Sequence, residues 1–262
     1  MITCILYYLL VLSNATTGNT GDSAISIKPH WQKGEIKKYE ITQKVKISFN
    51  STTIVSDISL TVKDINSDFI TLEWRYDTVK IFDSLMENPG NRNKPILQLI
   101  LDHKTIRYRS DPEGNIKEIL NFPELSKQLK ASVDSLTPAF MQSMVPNIFA
   151  NFLLKDLLFF HQLYGKKLRT GDTTILSRKY SISPDIDLPS VSNKVTLTAT
   201  GIIKGFWKPE GLPLSMDPKK VISNFTYEFL PGTFWLRRYE SILVTPVPDG
   251  YVTNEYEIIL LP

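Results

Sequence analysis

Lys38-Tyr39-Glu40-Ile41-Thr42-Gln43-Lys44-Val45-Lys46-Ile47-Ser48-Phe49 alternates polar with apolar side chains almost residue by residue. Successive side chains of a strand point to opposite faces, so this rhythm of two describes a β-strand with one buried face. Tyr39, Ile41, Val45, Ile47 and Phe49 form that face, and Gln43 is its one polar intruder. Beyond the turn residues Asn50-Ser51-Thr52 the pattern resumes with Ile54, Ile58, Leu60 and Val62, and beyond Asn66-Ser67-Asp68 with Ile70, Leu72, Trp74 and Tyr76. Three such stretches joined by short polar turns predict an antiparallel meander. Strands of up to roughly 12 residues, about 40 Å, suit a strongly curved sheet better than a small tight barrel.

Further along, a loop over Glu87 to Lys94 precedes an expected strand around Ile96 to Leu101. A hairpin follows, with Thr105 to Ser110 and Ile116 to Leu120 flanking Asp111-Pro112-Glu113-Gly114-Asn115. Proline presets the turn, and Gly114 is placed to take the positive φ that such a loop requires. Asn121 with Glu124 three residues on has the form of a capping box, and Leu125, Leu129, Val133 and Leu136 recur at helical spacing until Thr137-Pro138.

From Leu136 to Tyr164 the chain becomes strongly apolar, with Phe140, Met141, Met144, Val145, Ile148, Phe149, Phe152, Leu157 and Phe160 among its members. One amphipathic helix face does not need this much apolar surface in water. A sheet wrapped around the helices, a bound lipid or a membrane surface would cover it, and the candidate ligand-binding residues are Phe149, Phe152, Leu157 and Phe160. Pro138, Gln142, Pro146, Asn147, Asn151 and the Lys155-Asp156 pair interrupt the segment, which argues against a membrane-spanning helix.

The remaining sequence returns to strands at Thr173 to Ile182, Val191 to Ile203, Val221 to Leu230, Phe234 to Val244 and Tyr251 to Leu261. Trp31, Gly34 and Glu35 before the first strand have a loose echo in Tyr164, Lys167, Gly171 and Asp172, so the two β halves are read as possible relatives. The expected fold is therefore α+β and mainly antiparallel β: a long curved sheet or half-barrel around a central apolar helical insertion.

Residues Ile5 to Leu12 form an uncharged apolar core followed by Ser13-Asn14-Ala15, the form of a cleaved export signal. The expected organisation is a signal peptide over 1–15, a flexible tether over 16–27 and one β-rich domain over 28–262. Within that domain lie a first β half (28–121), the helical insertion (122–164) and a second β half (165–262). The expected location is secreted or periplasmic, in a bacterial cell envelope. Cys4, the single cysteine, precedes the apolar core, so neither a lipidated cysteine nor a disulfide is expected in the exported chain. The sequons at Asn14, Asn50 and Asn224 read as accidental in that setting.

The chain has 262 residues, 42% of them hydrophobic and 22% charged, enough for a substantial core. A net charge of +3, spread over basic pairs set among acids, gives no reason to expect nucleic acid as a partner. No catalytic residues are assigned. His30, His103 and His161 stand far apart and outside any His-Glu-x-x-His spacing, and no Gly-x-Ser-x-Gly elbow occurs. His161 reads as a structural histidine. No cofactor and no metal are expected: Asp185-Ile186-Asp187 has chelating spacing, but Leu188 and Pro189 occupy the places where further oxygen ligands would continue. Trp31, Trp74, Trp207 and Trp235 invite comparison with a sugar-stacking platform, although Trp74 is in phase with the core and Trp207 alone falls at a plausible rim position.

The long alternating strands, the Tyr108 to Asn121 hairpin, the helical insertion and the Lys167-Leu168-Arg169-Thr170-Gly171-Asp172-Thr173 restart resemble exported β-rich proteins of Bacteroidetes and related bacteria over most of the chain. More distantly, the plan resembles envelope lipoprotein carriers and mycobacterial glycolipid-binding lipoproteins. That resemblance implies a curved antiparallel sheet around helices and an apolar cavity, and it carries over no functional residues. Two roles are expected from these readings: a non-catalytic carrier of a lipid or other apolar ligand, or an envelope scaffold with a protein partner and no small-molecule ligand.

Overall fold

The computed structural model describes residues 24–47, 50–83, 98, 101–134, 154–169, 173–183, 186–197, 202–208, 222–247 and 250–262. The expected signal peptide and the residues Phe149 and Phe152 lie outside the described residues.

Strands β2 (Ile36–Ile47), β3 (Asn50–Ile65), β4 (Ile70–Asp83), β5 (Thr105–Ser110) and β6 (Ile116–Ile119) form the first meander. Strands β8 (Thr173–Ser183), β9 (Ile186–Leu197), β10 (Ile203–Lys208), β11 (Ile222–Phe229), β12 (Leu236–Val247) and β13 (Gly250–Leu260) form the second. Antiparallel pairing of β13 with β2 joins them into one 11-stranded sheet, ordered β6-β5-β4-β3-β2-β13-β12-β11-β10-β9-β8. All of its pairings are antiparallel, as the alternation predicts. The sheet is open, and its two edge strands, β6 and β8, approach with Cα atoms within 8 Å.

Between those edges the chain supplies helix α1 (Phe122–Asp134) and helix α2, described over residues 154–161. α2 is the inner filling of the sheet, since Leu154, Leu157 and Phe160 are fully or almost fully buried among inward-facing strand residues. Strand β7 (Lys166–Leu168) then pairs with β1 (Ile25–Ile27), so the last three residues of the segment read as a flexible tether lie in a strand, and Ile27 is buried.

The hairpin falls where expected, and Gly114 has φ +88°. Two local expectations change. Around Ile96 to Leu101 the described residues Gln98 and Leu101 are helical, with the Asp102 amide donating to the Gln98 carbonyl at 2.9 Å, so a short apolar run was misread as a strand. The long Val191 to Ile203 strand divides into β9 and β10, which pair with Ile203 opposite Leu197. Pro189 is accommodated inside β9 by a register irregularity between Arg178 and Tyr180 of β8, because proline has no N–H for the ladder.

Asn121 also differs from its expected role. Its Oδ1 accepts from the Arg107 amide at 2.8 Å and its Nδ2 donates to the Thr105 carbonyl at 2.9 Å, so the side chain splints the start of β5. Asn121→Ala therefore leaves two strand backbone groups short of partners, with an expected loss of about 1 to 2 kcal/mol in chemical denaturation. Asn121→Asp restores only the acceptor and should recover part of the loss; full stability of the alanine variant would contradict the splint.

Candidate functional site

The inner face of the sheet changes character along the strands. At one end it is closed by rings. Trp74, Tyr39, Tyr227, Tyr239 and Phe160 are all fully buried, and the Phe160 ring centroid lies 5.4 Å from that of Tyr39 and 5.6 Å from that of Trp74. Trp31 stacks on Trp235 at 4.7 Å and meets Tyr164 edge-on at 5.2 Å. His161 is buried beside them: Nδ1 donates to the Gly114 carbonyl at 2.7 Å, which leaves Nε2 to accept the Tyr108 hydroxyl at 2.9 Å. These contacts give His161 a structural task.

Above this base the inward positions turn polar. Gln43 of β2, the exception in the opening alternation, is buried, and its Nε2 donates to Asn254 Oδ1 of β13 at 3.2 Å. Its Oε1 accepts from Lys155 Nζ of α2 at 2.7 Å. The neighbouring Asp156 accepts the hydroxyls of Tyr76 at 2.8 Å and Tyr256 at 2.6 Å. Adjacent helical residues point about 100° apart, so Asp156 reaches the two tyrosines while Lys155 turns to Gln43 and lies 4.9 Å from the centroid of the Tyr256 ring. Ser56 of β3 completes this belt, which encloses with Ile41, Ile54 and Leu101 a niche of about 10 Å³.

Burial dominates the electrostatics. It raises the Asp156 carboxyl pKa against the opposing effects of Lys155 and the two tyrosine hydroxyls. It lowers the Lys155 ammonium pKa, which Asp156 partly restores. Tyr76 and Tyr256 are pushed well above the ordinary phenol value by burial first and by the Asp156 charge second.

Beyond the belt the inward register of the same strands mixes half-buried or exposed apolar side chains with the polar residues Asn50, Thr52, Ser241 and Thr245. Val45, Ile54, Ile81, Leu243, Val247 and Val252 are half-buried, and Ile47 is 49% exposed. The hairpin ends of β2–β3 and β12–β13 are neighbours here, with Ile47 opposite Val252, while the exposed rings of Phe82 and Tyr251 fall in the outward register. The arrangement is a cup with a wall of mixed apolar and polar side chains, a polar belt for its floor and an aromatic base beneath.

No family model matches the chain. No curated protein matches it in sequence either. Among solved structures it is similar to lipovitellin, from work on lipid–protein interactions in that protein, with a TM-score of 0.48 and 12% identity over 89% of this chain and 26% of that one. The chain thus spans about a quarter of the lipovitellin chain. It is also similar to the S-type phycobiliprotein lyase CPES from Guillardia theta, with a TM-score of 0.31, 10% identity and coverage of 86% and 87% of the two chains. A DUF1329 family protein from Desulfovibrio piger matches with a TM-score of 0.21 and 11% identity over 86% of this chain and 84% of that one. At these levels no functional residue transfers.

Of the residues singled out from sequence, Leu157 and Phe160 are brought together in the closed base, where both are fully buried. Trp31, Trp74 and Trp235 are core residues, which removes them from any exposed sugar platform, and the side chain of Trp207 lies outside the described residues. The calcium-like spacing is cut by β9, which begins at Ile186 and pairs Asp187 with Ser181. Among the described residues no group of three or more His, Cys, Asp or Glu could hold a metal ion, and no helix is long and apolar enough to cross a membrane. The belt residues Gln43, Lys155, Asp156 and Asn254 were not selected as a site, yet each left a signal: a polar residue in an apolar register, or a charged pair inside an apolar helix.

Proposed function

We propose that this is an exported, non-catalytic binding protein that holds a lipid or other apolar ligand against the wall of the cup. The observation that carries the reading is the set of inward apolar side chains past the floor, Val45, Ile47, Ile54, Ile81, Leu243, Val247 and Val252, which keep apolar surface in reach of solvent among the polar residues Asn50, Thr52, Ser241 and Thr245. Soluble monomers seldom leave contiguous apolar surface uncovered without a use for it, and a concave wall suits a ligand better than a flat partner. Strands paired on both sides fix the spacing of these side chains.

The reading predicts that the purified full chain binds Nile red, a neutral dye that brightens in apolar surroundings, and that organic extracts of protein isolated from its native host contain a co-purifying lipid. Leu243→Glu should weaken dye binding by about tenfold, since it places a charge on the wall, while the thermal midpoint stays near that of the native protein because the position is half-buried. Absence of both dye binding and extracted lipid would overturn the reading in favour of an envelope scaffold.

A further inference from the structure

We infer that His161 is an acid-sensitive latch: its neutral ring locks α2 to the hairpin turn, and a proton on that ring favours release of α2 and of the floor that α2 carries. The hydrogen bonds carry this. A carbonyl oxygen only accepts, so Nδ1, 2.7 Å from the Gly114 carbonyl, bears the single proton of the neutral imidazole. Nε2 is then an acceptor, and the Tyr108 hydroxyl donates to it at 2.9 Å. Tyr108, Gly114 and His161 are all buried. Trp31, Phe160 and Tyr164 close around the imidazole with ring centroids at 6.0, 5.1 and 5.5 Å.

Protonation places a hydrogen on Nε2 as well. The imidazolium then donates to the Tyr108 oxygen, and the phenol loses the acceptor of its own proton inside a closed core. The new charge is poorly matched by what faces it. Tyr108 comes from β5, Tyr164 from the chain after α2 and, behind them, Tyr39 from β2; burial pushes all three phenols well above their ordinary value, so they stay neutral. The carboxylates on the surrounding elements are engaged elsewhere. Asp111 in the hairpin turn accepts from the Asn115 amide at 2.8 Å and pairs with Lys117 at 3.0 Å, and Glu113 pairs with Lys28 at 3.0 Å. Glu35 of the N-terminal segment accepts from Trp235 Nε1 at 2.9 Å, and Asp156 accepts the hydroxyls of Tyr76 and Tyr256. A charge buried in such surroundings is costly. The unfolded chain takes up a histidine proton near pH 6.5, so opening of this region becomes easier as pH falls below that value. His161 ends the described part of α2, and Lys155 and Asp156 lie less than two helical turns before it, so loosening at the latch reaches the floor along one helix. The latch stands on these contacts whether or not the cup holds a ligand.

The test compares the native full chain with His161→Gln between pH 7.5 and pH 5. The glutamine amide offers Gly114 a donor and Tyr108 an acceptor, as the neutral imidazole does, and it does not titrate. His30 and His103 are exposed and common to both proteins, so their effects cancel. Hydrogen exchange of the α2 amides is read as protection factors, which removes the intrinsic pH dependence of exchange. On acidification the native protein should lose about thirtyfold more protection than the glutamine variant. Equal losses overturn the latch. Where the glutamine variant does not fold, the imidazole nitrogen shifts of the native protein decide. A Nδ1–H tautomer that persists until the α2 amides lose protection supports the latch, and a ring that gains its second proton while α2 stays fully protected overturns it.

Discussion

Gly114→Val is expected to cost about 3 to 6 kcal/mol in folding free energy, far more than a turn substitution on an exposed hairpin normally does. Two independent penalties meet at this residue. Its φ of +88° lies in the left-handed region, where a β-branched side chain is strained by about 1 to 3 kcal/mol. A Cβ there would also stand 2.6 Å from Tyr164 Cβ and 2.9 Å from Tyr164 Cγ. Tyr164 cannot withdraw, because it is fully buried, packs on Trp31 and donates its hydroxyl to the Phe234 carbonyl at 2.7 Å. Overpacking of that kind adds about 1 to 3 kcal/mol, and displacement of the turn loosens the Gly114 carbonyl from His161 Nδ1. Gly34→Val is the matched control: its φ is +82°, but nothing lies within 4 Å of the added Cβ, so it measures backbone strain alone. Denaturant midpoints of the two variants decide the point, and equal losses would contradict the packing of the hairpin turn on Tyr164.

The strand pattern was legible because each buried face wrote itself as alternation, and register follows from alternation once one face is apolar. Tyr39, Ile41 and Gln43 share one face whether read from residues or from burial. Pairing of β13 with β2 was not legible, since nothing local in Tyr251 to Leu261 states which strand it meets; the joining of two meanders through the first and last long strands is a tertiary property. Leu157 and Phe160 were recognised as residues in need of cover, but sequence could not say whether rings or a ligand supplied it; around Phe160 the rings of Tyr39 from β2, Trp74 from β4 and Trp31 from the N-terminal segment do. The belt was missed for a related reason. Gln43 reads as noise within one strand, and it becomes a site only when β13 sets Asn254 beside it and α2 brings Lys155 to its other side.

Asp156→Ala is expected to destabilise the protein by about 2 to 5 kcal/mol, because it leaves the Tyr76 and Tyr256 hydroxyls buried without their acceptor and Lys155 without its nearest counter-charge. Asp156→Asn keeps one acceptor oxygen and should cost less, and it isolates the ionisation. Burial raises the carboxyl pKa of Asp156 in the folded protein above the unfolded value of about 4. The folded state therefore holds that proton more tightly than the unfolded state does. Below about pH 4 both states are protonated and the native protein has the full benefit of a neutral acid bonded to two tyrosines. As pH rises through the raised folded pKa, the unfolded chain ionises first, so this contribution declines; the asparagine variant has no such proton to lose. The stability advantage of the native protein over Asp156→Asn should accordingly be largest near pH 4 and narrow toward neutrality, read from denaturant midpoints across that range. Lys155 acts in the opposite sense, because its lowered pKa makes the folded state release a proton before the unfolded one, and it is present in both proteins compared. A difference that widened with rising pH would mean that the folded state favours the carboxylate, and the belt would then hold an ion pair between Lys155 and Asp156.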